Sequence, residues 1–373
     1  MAIMIAVMFV LFTVGIVFQA EAANFTCPTA IFSFGDSLTD TGNYASAFPA
    51  PPYIKFHSSY EKAVSSGRLP YRACNGRLLI DFTAQAFKFP FLDGYFKDID
   101  PNYQHGVNFA TSSSTARNTS EASPFFLSTQ ISQLIKFKND ALSSSDSNLP
   151  ATEAFSTGLY WISIGLNDFL RAFAYSGLSL DQINVTLVPQ VAQFISNAVR
   201  DLYNYAGARN FIVLNVPAVG CLPSVVSSLG TGAANSTDSF GCLHALNEVV
   251  QSYNSLLKTS LQQINQVISD ATITYADYYG VHRESLSNPQ IYGFQSNATL
   301  LACCEDGAHY SGPAAHCSST ATTCTNPSGY ISWDGIHFTE AFNKVVATKF
   351  LEGTFIDRAI NLKTTCSLDF SQF

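Results

Sequence analysis

Short apolar runs alternate along the chain with longer segments in which apolar residues recur every three or four positions. The runs, rich in β-branched and aromatic residues, predict five strands at 30–34, 107–110, 159–164, 211–216 and 272–277. Four of them show little polar alternation, which is typical of parallel strands covered on both faces. The pattern therefore predicts a parallel sheet buried between two layers of other structure.

The segments between the runs have the periodicity of amphipathic helices. The longest predicted helix covers 243–268, and others cover 131–142, 187–205 and 340–350. Strands that alternate with helices form βαβ units, so we expect a doubly wound α/β sandwich. In this architecture the functional side chains lie at the carboxyl ends of the strands.

The chain is predicted to be a leader followed by one domain. Residues 3–18 are apolar, too few to span a bilayer comfortably, and Ala20-Glu21-Ala22 fits a signal peptidase site. We therefore expect a signal peptide over 1–22. Since no repeat or low-complexity linker divides the rest, 23–373 is predicted to form a single domain with loop insertions near 48–75 and 278–330.

The charge of the chain limits the kinds of macromolecule and membrane surface that it can bind. Only 12% of the 373 residues are charged, the net charge is −8, and basic residues form no run. Nucleic acid is therefore excluded as a partner, as is an anionic membrane surface. We expect a monomer without stable membrane anchoring.

Five acceptor patterns for N-glycosylation accompany the predicted signal peptide, at Asn24, Asn118, Asn184, Asn235 and Asn297. Together they predict a secreted, extracellular glycoprotein.

Nine cysteines suit an oxidising compartment. Cys221 and Cys242 flank a Gly/Ser-rich segment and are the favoured pair, whereas the remaining connectivity stays open. Four cysteines crowd 303–324 and are expected to staple a loop. At least one of Cys27, Cys74 and Cys366 is left over. Because neither Cys nor His residues have metal-ligand spacing, we expect no metal and no cofactor.

Candidate chemistry begins where the first predicted strand ends. The chain there reads Phe34-Gly35-Asp36-Ser37, which places a serine on a glycine-bearing turn after a buried strand. Such turns expose a nucleophilic hydroxyl above a sheet. Ser37 is the candidate nucleophile.

A carboxylate and an imidazole stand near the other end of the chain, in Asp334-Gly335-Ile336-His337. A spacing of three lets the carboxylate orient the ring that takes the serine proton. Asp306 and His309 have the same spacing, but no amphipathic helix follows them, so they rank second.

A side-chain amide follows the third strand, in Gly165-Leu166-Asn167-Asp168. Asn167 there can donate to a developing oxyanion. On these four residues alone, the better explanation is that Asn167 and Asp168 cap the next helix.

These motifs resemble those of the plant GDSL esterase/lipase family, within the SGNH hydrolase superfamily, over the whole mature chain. Further matching stretches lie at 75–77, 106–110, 216–223, 288–294, 303–304 and 330–337. The resemblance implies a three-layer α/β/α sandwich around a five-stranded parallel sheet, as in flavodoxin. It also implies a carboxylic ester hydrolase that acts on small-molecule esters. For a secreted member of a plant family, the expected location is the apoplast or cell wall, with the vacuole as an alternative.

The resemblance also implies roles for individual residues. Ser37 would be the nucleophile, His337 its general base and Asp334 the partner that orients the base. The oxyanion hole would comprise the N–H of Ser37 and the side chain of Asn167, with Asp36 supporting the nucleophile turn.

The chain departs from the family pattern at two places. Ser113 stands where the family usually has a glycine whose N–H is another oxyanion donor. Serine keeps that N–H, and we expect it to serve, at a cost in strain if φ must be positive. Glu305-Asp306 replaces a usual glycine after Cys304, in a loop outside the triad.

The leading hypothesis is a secreted serine esterase that forms an acyl-enzyme. An acyltransferase would use the same intermediate with an alcohol as acceptor, and the triad alone does not separate the two. A catalytically weakened glycoprotein with a binding or defence role is the third hypothesis, resting on Ser113. The acyl and alcohol specificity is left open.

Overall fold

A five-stranded parallel sheet forms the centre of the protein, in a computed structural model that describes residues 27–48, 71–119, 123–230, 236–305, 317, 321–358 and 361–373. The strands are β1 (Ile31–Gly35), β2 (Gly106–Asn108), β3 (Leu159–Ser163), β4 (Asn210–Leu214) and β5 (Thr272–Ala276). All five predicted strands are present, with ends shifted by a few residues.

The strand order is β2-β1-β3-β4-β5. From β1 the chain goes to β2 on one side of it and then returns to β3 on the other, so the winding direction reverses at β1. Such a reversal leaves a crevice at the carboxyl ends of the strands, where ligands bind in this class of fold.

Helices flank the sheet and confirm the predicted α/β sandwich. In chain order they are α1 (Asn43–Ala47), α2 (Leu79–Ala86), α3 (Leu127–Leu142), α4 (Ala154–Thr157), α5 (Leu166–Tyr175), α6 (Leu180–Asp201), α7 (Pro223–Leu229), α8 (His244–Val267), α9 (Tyr278–Ser287), α10 (Glu340–Leu351) and α11 (Leu362–Thr365). Helix α6 packs along α8 and contacts α3, whereas α2 packs against α10, which also contacts α9. A two-stranded antiparallel ribbon pairs β6 (Cys304–Glu305) with β7 (Thr322–Thr323).

Helix α6 begins seven residues before the predicted start at 187. Ser179 caps it: the Ser179 hydroxyl accepts from the N–H of Gln182, and the Gln182 side chain accepts from the N–H of Ser179. Its first two turns are mostly exposed, so their apolar periodicity is weak. The capping pair, rather than the apolar pattern, marks this start.

The predicted insertion at 278–330 begins with a packed helix. Tyr278, at the start of α9, is buried with its ring against Phe338 and Phe342. This first part therefore belongs to the helical layer, and the loop follows it. Of the other insertion, 49–70 lie outside the described residues, while Arg72 is buried in an ion pair with Asp81.

Four disulfides are formed: Cys27–Cys366, Cys221–Cys242, Cys303–Cys324 and Cys304–Cys317. The favoured pair is confirmed, and the cysteines of 303–324 do staple one loop. Cys74 is the free thiol, and it is buried. Within the described ranges, no helix is long and apolar enough to cross a membrane, and no group of three His, Cys, Asp or Glu residues is arranged to hold a metal ion.

Candidate active site

The nucleophile turn follows β1 directly. Gly35, the last strand residue, lies so close to β3 that a β-carbon on it would stand 2.4 Å from the carbonyl oxygen of Ser163. Asp36 is completely buried, and its Oδ1 accepts the N–H of Leu38 at 3.0 Å. This bond fixes the turn on which Ser37 sits, as expected for Asp36.

Ser37, His337 and Asp334 come together although 300 residues separate the first two. The Nε2 atom of His337 lies 2.8 Å from Ser37 Oγ, and its Nδ1 atom lies 2.7 Å from Asp334 Oδ2. Both distances are those of good hydrogen bonds. The arrangement can move a proton from the serine hydroxyl to the imidazole while the carboxylate holds the ring.

The loop before α10 fixes the acid and the base relative to each other. The second carboxylate oxygen of Asp334, Oδ1, accepts the N–H groups of Ile336 at 3.0 Å and His337 at 2.8 Å. Gly335 between them has φ 96°, a conformation that a glycine adopts without strain. Its carbonyl oxygen accepts both the N–H and the hydroxyl of Ser224. The short spacing thus places the carboxylate and the ring in contact.

The acid and the base shift each other's pKa in opposite directions. Burial favours the neutral form of each, but the ion pair outweighs it. The pKa of Asp334 is therefore lowered, and the pKa of His337 is raised above 6.5. Burial raises the pKa of Asp36 to about 7, and the charge of Asp36 adds to the rise at His337.

The candidate oxyanion donors lie at the ends of three neighbouring strands. Ser37 follows β1, Ser113 lies in the loop after β2, and Asn167 is in the first turn of α5 after β3. Within the described residues, no backbone acceptor takes the N–H of Ser37 or Ser113. The Asn167 amide donates one hydrogen to the carbonyl of Ser114 at 2.9 Å, which orients it and leaves a second hydrogen. These three groups are therefore the candidate donors to an oxyanion that forms beside Ser37.

Ser113 has φ 65°, in the left-handed region. The position that the family usually fills with glycine thus has a glycine-like conformation in this chain. A side chain there costs about 1–2 kcal/mol of strain. The N–H is retained, as expected, with this strain as its cost.

The sequence did not reveal three polar residues that hold these loops. Asp40 and Asp168 are buried carboxylates that accept backbone N–H groups, and Gln130 of α3 bonds the backbone of Gly35. Asp168 lies in the first turn of α5, yet its carboxylate bonds the N–H of Ala116 instead of capping the helix, so the capping interpretation is wrong for it. In the sequence, the signal for a residue that holds a loop in this way is a polar side chain at a position where the pattern predicts burial.

The other predicted site residues fall into two groups, those that the structure describes and those outside the described ranges. Asn118, Asn184 and Asn297 are exposed, as glycan acceptors must be. Asn24 and Asn235 lie outside the described residues, as do the signal peptide and the alternative pair Asp306 and His309.

Comparison with known proteins places the chain among lipases and acylhydrolases. The family model of the GDSL-like lipase/acylhydrolases matches residues 31–350. GDSL esterase/lipase ENOD8 of Medicago truncatula is 34% identical over 90% of this chain and 89% of the relative. An esterase of Hevea brasiliensis is 32% identical over 97% of this chain and 94% of the relative.

Two further matches are a relative that carries a different kind of name and a solved structure. A protein named alpha-L-fucosidase 3, from Arabidopsis thaliana, is 33% identical over 87% of this chain and 90% of the relative. Among solved structures, a phospholipase A1 from Streptomyces albidoflavus NA297 is 13% identical over 86% of this chain and 97% of that chain. Its TM-score of 0.35 is too low to add to the family assignment.

Proposed function

This chain belongs to the GDSL-like lipase/acylhydrolase family and is a carboxylic ester hydrolase, and from that premise we propose that it is a secreted serine esterase that works through an acyl-enzyme on Ser37. The observation that carries the proposal is the unbroken chain of contacts from Ser37 Oγ to His337 and on to Asp334, at 2.8 and 2.7 Å. A hydroxyl in this arrangement is activated for attack on a carbonyl carbon.

In the first half-reaction, Ser37 Oγ attacks the ester carbonyl while its proton passes to His337 Nε2. Asp334 stabilises the imidazolium, and the donors of Ser37, Ser113 and Asn167 receive the oxyanion. When the tetrahedral intermediate collapses, His337 gives the proton to the departing alkoxide. The alcohol leaves, and the acyl group remains on Ser37.

In the second half-reaction, His337 takes a proton from a water molecule, which attacks the acyl-enzyme. The same donors receive the second oxyanion. Collapse returns the proton to Ser37 Oγ and releases the carboxylic acid. An alcohol in place of water would complete an acyl transfer by the same steps.

Secretion is supported by several observations. Four disulfides suit an oxidising compartment, and three of the five acceptor asparagines are exposed. We therefore assign the glycosylated protein to the extracellular space, in the apoplast or cell wall.

Small-molecule esters are the proposed substrate class, because the chain belongs to a family of lipases and acylhydrolases.

The test compares single alanine variants of the secreted, glycosylated protein. Ester hydrolysis is measured on acetyl, short-chain, long-chain and hydroxycinnamoyl esters. Ser37→Ala and His337→Ala should each abolish turnover to a similar extent, because the two residues act as a unit. His309→Ala is the matched control and should retain activity. Substantial hydrolysis by Ser37→Ala would refute the mechanism.

Product analysis with an added alcohol separates hydrolysis from acyl transfer. We expect the free acid as the main product. A new ester formed in preference to the acid would assign the protein as an acyltransferase.

A further inference from the structure

The loop that carries Ser113 is attached at one end to the nucleophile turn. Asp40 is almost completely buried, and its Oδ2 accepts both the N–H of Ser112 at 2.8 Å and the Ser112 hydroxyl at 3.0 Å. The other oxygen, Oδ1, accepts the N–H groups of Gly42 and Asn43 at 2.8 and 2.7 Å. One carboxylate thus ties the residue before Ser113 to the segment that follows Ser37.

The other end of the same loop is attached to the helix that carries Asn167. Asp168 is also almost completely buried, and its Oδ2 accepts the N–H of Ala116 at 2.7 Å. Its Oδ1 pairs with the guanidinium of Arg117 at 3.1 Å. Asp168 follows Asn167 directly. The residue that holds the loop and the residue that carries the amide donor are therefore neighbours in one helical turn.

Between the two attachments lies the strained residue. Ser113, at φ 65°, immediately follows the residue held by Asp40 and precedes the one held by Asp168 by three positions. A serine released from these bonds would relax to a negative φ, and its N–H would change direction. The surroundings must therefore impose this conformation on Ser113.

We propose that Asp40 and Asp168 are positioning residues that together hold Ser113 in its left-handed conformation, so that a non-glycine residue can serve as an oxyanion donor. The proposal rests on the proposed function, because it requires that the N–H of Ser113 receive the oxyanion. Neither carboxylate touches the ester. Each acts through the backbone of the loop between them.

The test uses Asp40→Asn and Asp168→Asn in the full-length secreted protein, each alone and combined with Ser113→Gly. Asparagine keeps the shape of the side chain, but one acceptor oxygen becomes a donor that faces a backbone N–H. The matched control is Asp357→Asn, because Asp357 also accepts a backbone N–H, that of Tyr275 at 2.8 Å, on edge strand β5. For every variant, kcat, KM and the inhibition constant of a trifluoromethyl ketone are measured. The serine oxygen adds to the carbonyl carbon of this ketone, and the product carries an oxyanion.

We expect each single aspartate variant to lose about 10- to 100-fold in kcat, less than the 10²–10³ that a missing donor costs, since the N–H is displaced and not removed. KM should change little, and the ketone should bind more weakly by a similar factor. Adding Ser113→Gly should recover much of kcat, because glycine adopts a positive φ without support. Asp357→Asn should keep the activity of the parent protein.

Three outcomes would overturn the proposal: unchanged kcat in both aspartate variants, a loss confined to KM, or no recovery with glycine. If Asp40→Asn fails to fold, the test rests on Asp168→Asn with and without Ser113→Gly, since Asp168 does not support the nucleophile turn. Failure of the proposed function is recognised separately, because then the ketone would not inhibit the parent protein and Ser37→Ala would remain active.

Discussion

The side-chain amide of Gln130 pairs with both backbone groups of Gly35. The N–H of Gly35 donates to Gln130 Oε1 at 2.9 Å, and Gln130 Nε2 donates to the carbonyl of Gly35 at 2.8 Å. Gly35 is two residues before Ser37, and Gln130 is completely buried in α3. A helix of one layer thus secures the strand end that presents the nucleophile.

We expect Gln130→Met to destabilise the protein by about 2 kcal/mol, because it leaves the buried N–H of Gly35 without an acceptor. The free energy of unfolding is measured by denaturant titration with the disulfides intact. Gln133→Met on the same helix is the control, since the Gln133 Oε1 atom has no hydrogen-bond partner among the described residues. Equal losses in the two variants would contradict this role of Gln130.

Ser113→Gly should stabilise the protein by about 1 kcal/mol, because glycine removes the strain at φ 65°. Ser114→Gly is the matched control. The Ser114 hydroxyl has no hydrogen-bond partner within the described ranges, and its φ is not positive, so glycine should cost about 0.5–1 kcal/mol in chain entropy. Thermal unfolding of the two variants should therefore shift in opposite directions. A shift of the same sign in both would refute the strain at Ser113.

The pH dependence of kcat/KM should report the imidazole of His337. The general base must be neutral to take the serine proton, so activity should rise with pH through a pKa above 6.5, the direction set by the ion pair with Asp334. Because the charge of Asp36 also raises this pKa, Asp36→Asn should move the rise in activity to lower pH.

The control for this pH shift is Asp140→Asn, which removes an exposed carboxylate that pairs with Lys136 on α3. Its pH profile should match that of the parent protein, because exposed charges are screened. A parent profile that rises at or below pH 6.5, or one that Asp36→Asn leaves in place, would contradict the assignment of the base.

The disulfide between Cys27 and Cys366 ties the start of the described chain to its end, across 339 positions. Replacing both cysteines with serine should cost about 2–5 kcal/mol of stability, because the unfolded chain gains the freedom that the link removes. Thermal unfolding measures the loss. Cys74→Ser serves as the control, since that thiol is in no disulfide and the variant should lose less stability than the double variant.

The sequence by itself determined the features that depend on neighbours along the chain. Apolar runs located all five strands, because a strand buried on both faces needs consecutive apolar side chains. The pair Asp334 and His337 was visible as well, since a spacing of three on a short turn brings the two side chains into contact. The predicted start of α6 was wrong because a capping pair, Ser179 with Gln182, extends the helix beyond its apolar stripe.

Only the tertiary structure decided the features that join distant segments. β2 and β3 lie on either side of β1, and that arrangement brings the loop of Ser113 and the helix of Asn167 to the nucleophile turn. The partners of Asp40, Asp168 and Gln130 follow from it, as does the pairing of Cys27 with Cys366. The φ of Ser113 is likewise decided by contacts between distant segments. Periodicity and spacing describe each segment alone, whereas packing against other segments selects which polar groups meet and which backbone conformations are held.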